Sequence, residues 1–138
     1  TGQCLFVARR SVVTKFFHYP SGAKKPVYGL YELSQLISYP REVIICESML
    51  DALTCWVYGS YAVALNGLGN DLQFMQLNKM PCRKFILATD NDDAGYRARV
   101  RIKSHIRNKI VTEYELPRAK KDINDLTLEE FIHLREIF

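Results

Sequence analysis

The chain has 138 residues, of which 48% are hydrophobic and 25% are charged, and its formal net charge is +4. This is the composition of an ordinary globular domain, and the length suffices for one domain with a substantial core. The modest charge is compatible with a nucleic-acid partner but does not indicate one. No stretch is long and apolar enough to span a membrane, and no signal-peptide pattern opens the chain. We therefore expect a cytoplasmic protein without a membrane partner.

Four cysteines are present, at positions 4, 46, 55 and 82. Their spacing contains no CxxC and no Cys/His pattern, so we expect no zinc site in this chain and a reducing environment. Cys46 lies in an apolar run and is expected to be a small buried hydrophobe. The chain begins with Thr1, which indicates an excised fragment and leaves room for further modules in the flanking sequence.

Residues 1–40 form a basic segment that we separate from the rest of the chain. The first twenty residues have the loose alternation of extended structure and end at Pro20. A basic connector follows at 24–29, and Leu33, Leu36 and Ile37 have the spacing of a short helix over 31–37.

From residue 42 onward, strands and helices alternate regularly. The pattern predicts strands at 43–46, 61–65, 85–88 and 110–116, and helices at 48–58, 70–79, 93–109 and 127–138. Ser48, Asn70 and Thr127 are expected N-cap residues, each with an acid or glutamine three positions later. Asn66 and Gly67, in the loop after the second strand, have two equally good interpretations: they shape the rim through a backbone conformation that glycine tolerates, or they are ordinary loop residues. Alternating strands and helices predict an α/β fold with a parallel sheet flanked by helices on both faces.

The stretch 88–95, Ala-Thr-Asp-Asn-Asp-Asp-Ala-Gly, lies where a buried strand passes into a helix. A turn with an aspartate cap explains one acid, and we assign that role to Asp93 at the start of the helix. Three neighbouring carboxylates are costly to gather unless a cation compensates their charge.

Acids follow three of the predicted strands and should meet at the carboxyl edge of the sheet. They are Glu47, Asp90, Asp92 and Asp122. Carboxylate oxygens of this kind hold Mg²⁺ or Mn²⁺ in phosphate chemistry. Asp51 is explained as a capping residue and left out of the site, and a charged loop explains Asp122 about equally well. The arginines of the 93–109 helix are interpreted as a solvated face.

Three motifs in this order resemble the Toprim domain: residues 43–51, 62–67 and 88–95. The likeness covers roughly residues 42–126, so we place a Toprim domain, a Rossmann-like fold, at 41–138. It implies that Glu47 is the catalytic glutamate, which transfers a proton or binds metal. It also implies that Asp90 and Asp92 are catalytic acids that coordinate Mg²⁺ or Mn²⁺.

The upstream basic segment resembles the β-rich stretch that precedes Toprim in bacterial-type DNA primases. The resemblance implies that template and nucleotide phosphates are contacted by basic residues of this segment: Arg9, Arg10, Lys15, Lys24 and Lys25. The loop at 121–125 resembles the metal loop of that family. The implied activity is the synthesis of RNA primers on a single-stranded DNA template from nucleoside triphosphates, during DNA replication.

The chain departs from the primase pattern in three ways. Ser48 replaces a glycine, which its capping role makes tolerable, and Asn124 replaces the second loop acid, which puts a full second metal site in doubt unless Asp125 substitutes. The zinc module and the module that binds the replicative helicase are missing from this chain, so the fragment is expected to be weakly active or inactive alone. Two other functions stay open: a Toprim nuclease that cleaves RNA or DNA, and a non-catalytic nucleic-acid-binding module.

Overall fold

The structure is a computed structural model that describes residues 3–4, 6–13, 17–18 and 24–138, with the backbone alone at 10 and 17. In chain order the elements are β1 (Arg9–Arg10), β2 (Phe17–His18), α1 (Leu30–Ser34), β3 (Glu42–Cys46), α2 (Met49–Val57), β4 (Ala62–Ala64), α3 (Asp71–Lys79), β5 (Lys84–Ala88), α4 (Asp93–His105), β6 (Ile110–Glu115), a 3₁₀ turn (Ile123–Asp125), α5 (Leu128–Ile132) and β7 (Arg135–Ile137).

A five-stranded sheet in the order β4-β3-β5-β6-β7 forms the centre of the molecule. Neighbours among β3, β4, β5 and β6 are parallel, and β7 runs antiparallel to β6. The predicted α/β fold with helices on both faces is confirmed. In the part of the chain that the structure describes, no helix combines the length and apolarity needed to cross a membrane.

The two faces of the sheet bury side chains of different size. Successive strand residues point to opposite faces, so Val43 and Ile45 lie on one face while Ile44 and Cys46 lie on the other. The first face packs large side chains against α1, α3 and α4. The second face carries alanines and Cys46 and packs against α2 and α5, which can therefore approach closely. Cys46 is fully buried, as expected, and its Sγ lies 3.7 Å from that of Cys55.

The predicted helix starts are confirmed at three positions. Asn70 and Thr127 each form a complete capping box, with Gln73 and Glu130 respectively. Ser48 caps α2 by accepting a hydrogen bond from the backbone N–H of Asp51. Because these contacts are local in the chain, short sequence patterns suffice to predict them.

The carboxyl-terminal prediction was wrong. The helix expected to run to residue 138 ends at Ile132, and residues 135–137 form β7. This strand pairs with the open edge of β6, and its Glu136 reaches Lys84 at 2.6 Å. Pairing with a distant strand thus outweighs local helical preference in the last residues.

Two other helices are shorter than expected. α1 ends at Ser34 rather than residue 37, and α4 ends at His105 rather than residue 109. Ile106 remains buried beyond the end of α4, so the apolar repeat continues further than the helix does.

The amino-terminal segment contacts the outer edge of the sheet. Tyr28 exchanges two backbone hydrogen bonds with Ala64 of β4, at 2.9 and 3.1 Å. Before it, β1 and β2 form a two-residue antiparallel pair, in keeping with the expected β-rich segment. The domain boundary at residue 40 stays a prediction.

Candidate metal centre

The carboxyl ends of β3, β5 and β6 meet at one edge of the sheet because these strands are parallel neighbours. Glu47 follows β3 directly, Asp90 follows β5 after one residue, and Asp122 lies in the loop after β6. The predicted convergence of acids at this edge is therefore present in the fold.

Three aspartates form the tightest acidic group of the described residues. Asp51, Asp90 and Asp122, which we call the acidic cluster, each place one carboxylate oxygen within 4.8 Å of the others. Oxygen atoms from three carboxylates at this spacing suit a hard divalent cation. This group of acids could therefore hold such an ion.

Asp51 is the acid that sequence reasoning missed. It is only 2% exposed, and its side chain accepts hydrogen bonds from the Ser48 hydroxyl (2.9 Å) and the Asn124 N–H (3.0 Å). It does not close a capping box, since the Ser48 backbone N–H is not its donor. Burial raises the pKa of Asp51 to about 6. Its spacing of four residues from Glu47, across the start of a helix, is the signal that could have found it.

Glu47 and Asp90 face each other at the centre of the edge. Glu47 Oε1 is buried without a hydrogen-bond partner among the described residues. Burial raises the pKa of Glu47, and its hydrogen bonding with Asp90 offsets only part of that rise. Burial, followed by the negative charge of Glu47, raises the pKa of Asp90 to about 7. A bound cation would give this carboxylate oxygen a partner and would favour the ionised form of the neighbouring carboxyl.

Asp92 has a structural task in addition to the predicted catalytic one. Its Oδ1 accepts a hydrogen bond from the Gly95 N–H at 2.7 Å and so caps α4, while Asp93 is the first residue of that helix. The Asp92 side chain is exposed, and its charge contributes to the raised pKa of Glu47. The metal-binding role of Asp92 stays a prediction.

The loop that carries Asp122 is tied to α2. Asp122 Oδ1 accepts from the Asp125 N–H at 3.1 Å and caps the 3₁₀ turn. Asn124 Oδ1 accepts from the Thr54 hydroxyl at 2.8 Å, and Asp125 Oδ2 accepts from the Lys121 N–H at 3.1 Å. Asn124, which replaces the second loop acid, and Asp125, considered above as its substitute, therefore both serve to hold the loop.

The turn that carries Asp90 is packed from behind by α4. Gly95 approaches so closely that an added Cβ would lie 1.8 Å from the Asp90 carbonyl oxygen. Arg99 donates from Nε to Thr89 Oγ1 (2.8 Å) and from Nη2 to the Asp90 carbonyl (3.2 Å). Interpreting Arg99 as part of a solvated face was wrong, whereas Arg97 and Arg101 are exposed as expected. The errors for Asp51 and Arg99 both concern contacts between residues of separate elements.

The predicted basic residues lie partly at this edge. Lys25 is half-buried and donates a hydrogen bond to the Asn66 carbonyl, in the loop that follows β4, and burial lowers its pKa. Asn66 has a positive φ of 53° and its side chain accepts a hydrogen bond from the Met49 N–H, which ties this loop to the start of α2. Lys24 and Arg9 are exposed. The Arg10 side chain and all of Lys15 lie outside the described residues.

No lysine or arginine of the described chain forms an ion pair with Glu47, Asp92 or the acidic cluster. The ion pairs that do form involve Glu42, Glu113, Glu130 and Glu136. Among the described residues, these acids therefore have no lysine or arginine as an ion-pair partner.

Primases are among the known proteins that this chain resembles in sequence or structure. The chain is 32% identical over 76 residues to the DNA primase of Buchnera aphidicola, a stretch that covers 54% of this chain and 13% of that protein. It superposes on the primase of Aquifex aeolicus, a structure of the zinc-binding and RNA polymerase domains, with a TM-score of 0.76 and 22% identity over 99% of this chain and 38% of that one.

Two further structures are similar. A DNA primase domain from Pseudomonas aeruginosa gives a TM-score of 0.72 and 19% identity over 94% of this chain and 43% of that one. The primase fragment of the bacteriophage T7 primase-helicase gives a TM-score of 0.58 and 21% identity, over 67% of this chain and 42% of that one. At these identities the structures establish the fold, and the chain spans less than half the length of each relative.

The sequence resemblance to Toprim domains is confirmed by a family comparison. The model of the family described as Toprim-like matches residues 44–127, which is more than half of the chain and includes the acidic cluster and Glu47. The chain belongs to the Toprim-like family.

Proposed function

We propose that this chain is the catalytic Toprim portion of a primase-type nucleotidyltransferase, which joins ribonucleotides on a single-stranded DNA template during replication. The observation that carries the proposal is the meeting of Asp51, Asp90 and Asp122 within 4.8 Å at the edge where three parallel strand ends converge. Membership of the Toprim-like family and the likeness to a DNA primase sequence support it.

The acidic cluster, Glu47 and Asp92 would together hold Mg²⁺ or Mn²⁺. When bound, such an ion supplies positive charge to a triphosphate and to the oxygens that attack and leave. Glu47 is the residue proposed to move a proton, because its raised pKa brings it closer to neutral pH and its Oε1 is not committed to another donor.

Basic residues of the amino-terminal segment are proposed to guide the template and the nucleotides. Lys25 donates a hydrogen bond to the Asn66 carbonyl in the loop after β4, and β4 is the neighbour of the strand that leads to Glu47. A lysine in that place can bind the phosphates of a nucleotide whose reacting end meets the acids. Lys24 and Arg9, with Arg10 and Lys15, are proposed to contact template phosphates. A replicative helicase is proposed as a partner through regions outside this chain.

The substitution Asp90→Asn tests the proposal in the full-length protein. Because Asp90 lies between Glu47 and the other acids, we expect the variant to lose Mn²⁺ binding in calorimetry and to make no primers on single-stranded DNA. The fold should remain, since asparagine keeps the shape of the side chain. Asp93→Asn is the matched control: Asp93 is exposed one turn away at the start of α4, and its loss should leave both properties unchanged.

Primer synthesis at the wild-type level by Asp90→Asn would contradict the assignment. Metal-dependent cleavage of RNA or DNA in the absence of nucleotides would identify a nuclease instead. Failure of the wild-type protein to bind Mn²⁺ above a weak, non-specific level would identify a non-catalytic nucleic-acid-binding module.

A further inference from the structure

Asn91 lies between Asp90 and Asp92 and connects their turn to the loop after β6. Its backbone N–H donates to the Lys121 carbonyl at 2.6 Å. Its side-chain Nδ2 donates to two further carbonyls of the same loop, those of Pro117 and Lys120, at 3.2 Å each. One exposed residue thus makes three hydrogen bonds to the segment that leads into Asp122.

The loop after β6 needs such a connection because the negative charge of its Asp122 is repelled by the other two acids of the cluster. Two like charges about 4 Å apart repel by roughly 1 kcal/mol in water and about 4 kcal/mol at an effective dielectric near 20. Asp122 approaches both Asp90 and Asp51 to this order of distance. In a metal-free protein, repulsion therefore favours movement of the loop away from β5 and α2.

Two sets of contacts oppose that movement, one on each side of the loop. On the α2 side, the Asn124 N–H donates to Asp51 Oδ1 at 3.0 Å. On the β5 side, the contacts are those of Asn91. An amide side chain suits this position, since it donates two N–H groups to carbonyls without adding another negative charge to the cluster.

We propose that Asn91 is a positioning residue that holds the loop at 117–122 against the Asp90 turn and thereby sets the distance between Asp90 and Asp122 before a cation binds. Its side chain supports the ligands rather than joining them. This inference rests on the proposed metal-dependent function. Groups that orient metal ligands in this way typically change metal affinity by about 10- to 100-fold when they are lost.

The test measures Mn²⁺ binding by calorimetry for the full-length protein and three variants. Asn91→Ala should bind Mn²⁺ about tenfold more weakly, at the low end of that range because the backbone bond to Lys121 remains. Asn91→Asp, which has the same shape but lacks the N–H donors, should also bind more weakly. Asn78→Ala is the matched control: that asparagine also bridges two backbone groups, His105 O at 2.9 Å and Arg107 N at 2.8 Å, at the other end of α4.

Hydrogen exchange of the metal-free protein provides a second measurement. In Asn91→Ala the backbone amides of residues 118–122 should exchange faster, while those of α3 should not change. Asn78→Ala should leave both the affinity and the exchange of this loop as they are.

Several outcomes would overturn the inference. They are unchanged affinity in Asn91→Ala, an equal loss in Asn78→Ala, tighter binding by Asn91→Asp, and absence of Mn²⁺ binding by the wild-type protein. Tighter binding by Asn91→Asp would mean that an added negative charge, rather than the position of the loop, governs Mn²⁺ affinity. Mn²⁺ binding by the wild-type protein that weakens in Asn91→Ala, with no primer synthesis by the wild type, would refute the proposed function alone. Primer synthesis together with unchanged affinity in Asn91→Ala would refute the role of Asn91 alone.

Discussion

The two edges of the central sheet carry acids in opposite electrostatic settings. The amino ends of β3 and β5, which we call the amino edge, include Glu42 and Lys84. Lys84 Nζ lies 2.6 Å from Glu136 and 3.5 Å from Glu42, so both acids contact a cation of the chain itself. At the carboxyl edge, the acidic cluster and Glu47 have no ion pair with any lysine or arginine of the described residues. Among the described residues, the same sheet thus presents one edge whose acids pair with a lysine and one edge whose acids do not.

The amino edge has a structural arrangement of charges, whereas the carboxyl edge has one that is suited to binding a cation. Gathered carboxylates oppose folding unless a positive charge accompanies them, and an internal lysine is the simple remedy. At the carboxyl edge, burial is the first cause of the raised pKa values of Asp51, Asp90 and Glu47, and neighbouring acids add to the rise. Functional sites are where such unfavourable arrangements persist.

The largest effect should come from closing the space behind the carboxyl edge. In Gly95→Ala the new Cβ would lie 1.8 Å from the Asp90 carbonyl oxygen, so the turn or α4 must shift. We expect a loss of about 3 kcal/mol in the free energy of unfolding, measured by denaturant titration. Gly59→Ala is the control, because its Cβ meets nothing within 4 Å and only the positive φ of 89° adds strain, of about 1 kcal/mol. Equal stability of the two variants would show that the turn is not tightly packed.

A change of pH should have an intermediate effect on the free energy of unfolding. In the unfolded chain an aspartate titrates near about 4, whereas burial raises the folded-state pKa of Asp90 to about 7 and of Asp51 to about 6. The folded protein therefore holds protons that the unfolded chain has lost, and stability falls as pH rises through this window. Between pH 5.5 and 8 we expect the metal-free protein to lose about 1–2 kcal/mol, a figure reduced for solvent screening of the half-buried Asp90.

Two comparisons sharpen this pH prediction. Saturating Mn²⁺ should remove most of the loss, because the ion binds the folded state and displaces the protons. Asp90→Asn without metal should show a shallower pH dependence than the wild-type protein. A metal-free stability that increases from pH 5.5 to 8 would contradict the reasoning.

The smallest effect is expected at the amino edge. Lys84→Met leaves Glu42 and Glu136 without their shared cation, and partly exposed pairs of this kind contribute about 0.5–1 kcal/mol. The loss should appear in denaturant titrations at low salt and diminish at 1 M NaCl, where charges are screened. Adding Glu136→Gln should recover part of it. A gain in stability on removing Lys84 would mean that the amino edge is not neutralised by this residue.

Local signals in the chain predicted local structure well. The capping patterns at Ser48, Asn70 and Thr127 act within four residues, and all three caps are present. The strand ends that bear Glu47 and Asp90 follow from apolar runs of the right length. The failures involve distant partners: residues 135–137 pair with β6, and Arg99 reaches Thr89 and Asp90.

The sequence by itself determined the alternation of strands and helices, the family and the edge at which acids gather, because periodicity and short motifs carry that information. Only the tertiary structure decided which acids come closest. Asp51 has a sufficient local explanation beside Ser48, and its approach to Asp122 depends on a loop some seventy residues later, fastened through Asn91 and Asn124. Contacts of that range depend on packing, since no local pattern in the chain specifies them.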